Sequence, residues 1–384
     1  LPSFPRAFTI QHSLLLKFFS EGLNANLLGR IIKAQERRHA ARDTNRVVRP
    51  FEWGAEFVAA HLNGDSPRAV VEAYAREAVR RSEDFYALPP IDDYALDGER
   101  LTWTSAVSTP SRENNTVRAR LFREQTPKRG SKHGRAQSKG ARLRSNVEAA
   151  RRAVVVLPQW NADAESHVAL CRLLARFQIA ALRLTLPYHE ARRPSEIERA
   201  DHLVSPNIGR TLQSMRQAVI DTRAAARWLR SQGYERVGIM GTSIGSCVAF
   251  LAFVHDERID AGVFNHVSGY VADVVWRGIS TRHVRAGIEG SLTLEELRAL
   301  WLPISPMTFA ARLTRQRARP MRFIAARHDL TFPLDLSRDV IERVRRTGVP
   351  LDVSWLPCGH YTSGARPWVY LDGWKIVSYL RKNL

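Results

Sequence analysis

Ser243 lies in Gly241-Thr242-Ser243-Ile244-Gly245, between an apolar run (Val237, Ile239, Met240) and a helix-like stretch from Cys247 to Val254. Strand, sharp turn and helix in that order match the Gly-x-Ser-x-Gly nucleophile elbow, where a serine is held at strained backbone angles with its oxygen exposed above a sheet. The glycines have a mechanical reason, because a Cβ two residues before or after the serine would strike a neighbouring strand or helix. A serine hydroxyl becomes a useful nucleophile only when a base removes its proton and a third group orients that base. Both partners occur further along the chain. Asp329 stands just past the apolar run Phe323 to Ala326, and His360 follows the run Val353 to Leu356. In a parallel sheet such strand ends share one edge, which is where open α/β folds build their sites.

Serine, aspartate and histidine in that chain order, each in a strand-end context, resemble the α/β-hydrolase superfamily. The resemblance covers the chain from about Leu101 onward. It implies Ser243 as nucleophile, His360 as general base and then acid, and Asp329 as the orienting carboxylate; Asp335 is the weaker substitute for Asp329, and His328 reads as a neighbour rather than the base. The oxyanion hole implied by the family uses the backbone N–H of Ile244 and a second donor from the loop after strand Ala153 to Leu157. Relatives commonly read His-Gly-x there, whereas this chain reads Pro158-Gln159-Trp160-Asn161, so Trp160 and Asn161 both stand as candidates. Within the superfamily the chain is most similar to dienelactone-hydrolase-like esterases. The loop Leu186-Pro187-Tyr188-His189 with Arg192-Arg193-Pro194 resembles the branch called alpha/beta hydrolase domain-containing protein 18. Tyr188, His266, Trp276 and Trp301 are read as substrate-binding residues. Gly269 to Leu313 occupies the position of a cap, whose apolar side chains suggest a lid over an acyl or aryl group.

The elements that must position these residues alternate. Strand-like runs at Arg152–Pro158, Ile179–Leu184, Val237–Met240, Asp260–Phe264, Met321–Ala326 and Leu351–Leu356 are separated by helical patterns near Ala164–Phe177, Gly209–Ser231, Cys247–Val254, Leu334–Thr347 and Trp368–Leu384. This predicts an α/β fold with a mostly parallel sheet covered by helices on both faces. Leu101–Val107 and Thr116–Phe122 read as a β-hairpin joined at the front. Residues 1–100 read as a helical N-terminal extension, with a helix over Pro67–Arg81 opened by Asp65-Ser66-Pro67; 101–384 reads as the hydrolase domain.

The 384 residues carry a net charge of +20. The first hundred are balanced in charge, and about half of the excess lies between Leu101 and Val155. That concentration supports a second reading, a polyanion- or nucleic-acid-binding protein using a basic loop on a hydrolase-fold scaffold. Three scattered cysteines give no disulfide framework or zinc pattern, and no metal, phosphate-loop or dinucleotide motif occurs. No cofactor is expected. Ser13 to Phe19 is too short for a membrane span and is split by Lys17, so the expectation is a cytoplasmic enzyme with a small acyl ester as substrate and no integral membrane association.

Between Gln125 and Asn146 the sequence offers seven basic residues, three glycines and almost nothing to bury, which predicts a mobile loop. Replacing it with a short Gly/Ser connection should leave the urea unfolding midpoint nearly unchanged, because closure entropy varies slowly with loop length. Salt-dependent retention on a polyanion column should fall in the same variant. Unfolding of the shortened protein would show that the segment carries part of the core.

Overall fold

A computed structural model describes residues 22–59, 65–125 and 150–384. The predicted loop lies outside the described residues apart from Gln125. Nine strands form one sheet in the order β1-β2-β3-β5-β4-β6-β7-β8-β9. They are β1 (Ala95–Asp97), β2 (Arg100–Thr104), β3 (Thr116–Phe122), β4 (Arg152–Leu157), β5 (Ile179–Leu184), β6 (Arg236–Thr242), β7 (Ala261–Asn265), β8 (Met321–Ala326) and β9 (Leu351–Leu356). The first three strands are antiparallel, β3 meets β5 antiparallel, and every pair from β5 to β9 is parallel. The predicted fold class therefore holds, and this is the architecture of α/β-hydrolases.

Alternation along β4 explains why its sequence is apolar throughout. Val155 and Leu157 face one core, beneath the long helix Ile208–Ser231 and the elbow helix Ile244–His255; Val154 and Val156 face the other, beneath Val168–Arg176 and Trp368–Asn383. Both faces of a central parallel strand are dry, so neither can carry polar side chains. After β4 the chain steps out to β5 and then crosses back to form β6 on the other flank of β4. That reversal is the topological switch point, and it leaves a crevice between the ends of β4 and β6.

One boundary differs from the sequence reading. The sheet begins at Ala95, inside the stretch assigned to the helical extension, because Ala95, Leu96 and Asp97 pair with Thr102, Leu101 and Arg100. Three residues are too few to show an alternating pattern. The helices before it among the described residues are α1 (Gly22–Arg42), α2 (Pro67–Arg80) and the single turn α3 (Ser82–Phe85), with a 3-10 turn at Ala55–Phe57, and the stretches 43–54 and 86–94 are not helical. Ser66 caps α2 by accepting from Ala69 N–H, with Pro67 in the first turn. No helix among the described residues is long and apolar enough to cross a membrane.

Arg192, in the loop after β5, is fully buried. Its guanidinium donates to Asn114 O, Thr185 O and Asp221 Oδ2, and Ser105 Oγ bonds the other oxygen of Asp221. The arginine thus fastens the loop to the helix Ile208–Ser231 and to the β2–β3 connection. Breaking such a buried pair by removing one partner costs about 3–5 kcal/mol, since the remaining charge is stranded. Arg192→Met should lose stability of that order in urea denaturation, and Arg192→Met with Asp221→Asn should regain part of it. Equal loss in the single and double variants would count against the buckle.

Candidate active site

Ser243 follows β6 with φ 58° and ψ −125° and precedes the helix Ile244–His255. The flanking glycines behave as the sequence predicts. A Cβ on Gly241 would stand 2.1 Å from Gly245 O, and one on Gly245 would stand 2.4 Å from Pro158 O. The close approach of the elbow to the end of β4 therefore depends on hydrogen at both positions. Ser243 N–H donates to Asn265 O at 2.8 Å, which ties the strained residue to β7.

Asp329, in the loop after β8, and His360, in the loop after β9, meet Ser243 from the neighbouring strand ends. His360 Nε2 lies 3.0 Å from Ser243 Oγ, and His360 Nδ1 lies 2.9 Å from Asp329 Oδ2. The other oxygen of Asp329 accepts N–H bonds from Thr331 and Phe332. Burial alone would raise this carboxyl, but His360 and His266 beside it outweigh burial and hold it well below the usual carboxylate range. Phe332 stacks on the His360 ring at 5.1 Å. An imidazole so fixed can take a proton from the serine hydroxyl while the carboxylate stabilises the charge it acquires. The substitute acid is excluded by position: Asp335 is exposed and paired with Arg277. His328 instead packs against Gly29 of α1.

The oxyanion candidates divide. The N–H of Ile244 has no hydrogen-bond partner among the described residues. The N–H of Asn161 does have one, donating at 2.8 Å to His189 Nε2, while His189 Nδ1 is bonded to Pro187 O. Burial pushes the His189 imidazole down to about 4, so the ring stays neutral and its Nε2 stays an acceptor. The N–H of Asn161 is thus engaged as a brace within the loops, which leaves Trp160 as the candidate for a second donor.

The substrate-binding expectations also need correction. Tyr188 is buried with its N–H bonded to Asn114 and its ring set edge-on to His202. Trp301 is fully buried in the main core. Trp276 is half-buried under the Arg285 guanidinium. Burial leaves Tyr188 and Trp301 no surface for a substrate, whereas Trp276 keeps an exposed part. Aromatic residues in a cap region served its own packing. The apolar group that does border the site is Cys247, Val274 and Phe332, with Leu336 packed against it.

His266 is not a pocket wall but a second imidazole on the acid. It is buried at φ 55°, with Nδ1 3.2 Å from Asp329 Oδ2 and its ring 4.9 Å from that of His360. Burial lowers its pKa, yet Asp329, Asp372 and Glu36 together raise it above the ordinary imidazole value. Ligand atoms of His266, Asp329 and His360 lie within 4.8 Å of one another, a spacing that a metal ion could use. His360 has both nitrogens engaged with Ser243 and Asp329, so a metal there would have to displace one of those bonds.

Sequence reading missed Glu36 entirely. This fully buried residue of α1 accepts from Tyr361 N–H and Thr362 N–H, immediately after His360, and Gly359 leaves room for it. A single glutamate in a basic helix carries no local signal of that role.

No family model matches the sequence, and no curated protein does. Solved structures match in fold. The acylaminoacyl peptidase of Pyrococcus horikoshii aligns with a TM-score of 0.54 at 12% identity, over 79% of this chain and 43% of that one. A puromycin-hydrolyzing peptidase of Mycobacterium tuberculosis aligns at 0.50 and 14% identity, over 77% of this chain and 48% of that one. This chain spans less than half the length of either.

One pH effect follows from the groups behind the site. Asp372 accepts from Asn265 Nδ2 at 2.7 Å, and burial pushes its carboxyl up to about 6 from 3.8. Between those values the folded state holds a proton that the unfolded state has released, so this group's contribution falls as pH rises from about 4 to about 6. The difference in unfolding free energy between wild type and Asp372→Asn should therefore move in the variant's favour across that window. A pH-independent difference would show that the carboxyl titrates normally. With the sheet order and these strand-end loops established, the chain has the α/β-hydrolase fold.

Proposed function

We propose that the protein is a serine hydrolase that cleaves a carboxylic ester through an acyl-enzyme. The observation that carries this reading is the unbroken line from Ser243 Oγ to His360 at 3.0 Å and from His360 to Asp329 at 2.9 Å. In the first step Ser243 Oγ bonds to the ester carbonyl carbon while its proton passes to His360 Nε2. The carbonyl oxygen gathers negative charge facing the N–H groups of Ile244 and Trp160. Collapse expels the alcohol, which takes the proton from His360. Water then repeats the sequence, releasing the acid and freeing Ser243. Thioester, amide and peptide bonds are open to the same machinery, and the two structural neighbours are named as peptidases. The order of Ser243, Asp329 and His360 along the chain supports the assignment as well.

A fluorophosphonate probe should label the wild type, and Ser243→Ala should abolish labelling. Hydrolysis of short acyl esters should fall by several powers of ten, leaving about 10³–10⁴-fold over water from the remaining site. The melting temperature should barely move. Ester hydrolysis within tenfold of wild type in a folded Ser243→Ala protein would sink the assignment.

A further inference from the structure

Fifteen buried side-chain polar atoms lack a partner among the described residues, and five of them belong to Arg46, Arg199, Asp201 and His283. The concentration matters because unpaired buried polar groups are costly and mark places where something else completes the bonding. The atoms are Arg46 Nε, Arg199 Nε, Asp201 Oδ1 and both ring nitrogens of His283. Arg199 Nε and Asp201 Oδ1 face each other at 3.9 Å, too far for a hydrogen bond and close enough for one group to bridge them.

Four segments distant in sequence enclose these groups. The stretch after α1 supplies Asp43, Arg46 and Arg49; the loop after β5 supplies Arg199 and Asp201; the cap helix Arg282–Ile288 supplies His283; and the loop after β4 supplies Trp160, whose ring stacks on His283 at 5.6 Å. Trp160 Nε1 and Asn161 Oδ1 both bond to the backbone of Ala200, which fixes the two loops to each other. The enclosure also touches the reacting groups. Trp160 is the proposed oxyanion donor, and Arg46 is bonded to the hydroxyl of Tyr361, the residue after His360.

Charge selects the ligand. Arg46 pairs with Asp43, and Arg49 pairs with Asp201 at 3.1 Å, which leaves Arg199 without a carboxylate of its own at bonding distance. Among the described residues Arg199 makes one hydrogen bond, to Asn45 Oδ1 at 2.8 Å, and faces the shared Asp201 at 3.9 Å; its side chain is 12% exposed. Three guanidiniums therefore face two carboxylates, an excess of one positive charge in a largely desolvated place. Buried guanidinium is best matched by a carboxylate, which accepts several N–H bonds in one plane. His283 adds one donor and one acceptor, since burial pushes its imidazole down to about 4 and keeps it neutral.

We propose that this cluster binds a carboxylate carried on the substrate of Ser243, so that the protein acts on the monoester of a short dicarboxylic acid or a similarly acid-bearing ester. The inference rests on the proposed function for the reacting bond, but its test does not depend on turnover. Calorimetry on the Ser243→Ala protein compares monomethyl glutarate with methyl pentanoate, which has the same length and no charge. The acid-bearing ester should bind about tenfold to a hundredfold more tightly, the range expected for a charged hydrogen bond formed in a dry site. Adding Arg199→Gln should abolish that preference. Adding Arg199→Lys, which keeps the charge and loses the planar fork, should retain part of it and guards against a folding defect in the glutamine variant. Equal binding of the two esters, or a preference that survives Arg199→Gln, overturns the proposal. Absence of fluorophosphonate labelling in the wild type would instead overturn the hydrolase reading, while the calorimetric preference would still decide whether the cluster takes a carboxylate.

Discussion

Three donors and a fourth, electrostatic contact converge on the carboxylate of Asp329. Two are backbone N–H groups of its own loop, one is His360, and the fourth contact is the His266 ring. A carboxylate this deeply buried stays ionised only because those groups replace the water it has lost. The ionised carboxylate in turn decides which nitrogen of His360 carries hydrogen and where the ring points. Its contacts come from the ends of β7, β8 and β9, so the arrangement requires three adjacent parallel strands ending at one level. The sheet and the charge are mutually dependent.

The parts of this assembly that were legible in the sequence are those set by local rules. The glycines at 241 and 245, the apolar runs of β4, β6 and β8, and the order of serine, aspartate and histidine all follow from steric or periodic constraints acting over a few residues. What stayed hidden was set by contacts between distant segments. Asn161 could not be told from Trp160 as a donor until His189, from another loop, was seen to occupy its N–H. Trp276 and Trp301 satisfied a cap-like composition, but burial of Trp301 in the main core is decided by the helices around it. Nothing near Arg192 in sequence announces its buried partner Asp221.

The balance between apolar and polar surfaces near Ser243 shifts the expected specificity. The apolar group of Cys247, Val274 and Phe332 is small. Opposite it, arginine, aspartate and histidine side chains crowd the space between the loop after β4 and the cap. A site built for a long acyl chain would extend the first at the expense of the second, because each stranded polar atom opposes the transfer of hydrocarbon from water. The cap here is also clamped from outside, with Arg68 of α2 bonded to Glu296 and Tyr86 bonded to Pro303 O. These bonds join the cap to α2 and to the segment after α3.

The bond between Glu36 and the backbone at Thr362 spans 326 residues of chain. Contacts of such separation form late, because the intervening loop must be closed before they contribute. Synthesis delivers α1 well before the histidine loop. A nascent chain therefore carries Ser243 before it carries His360, and α1 waits for the loop after β9 to complete this bond.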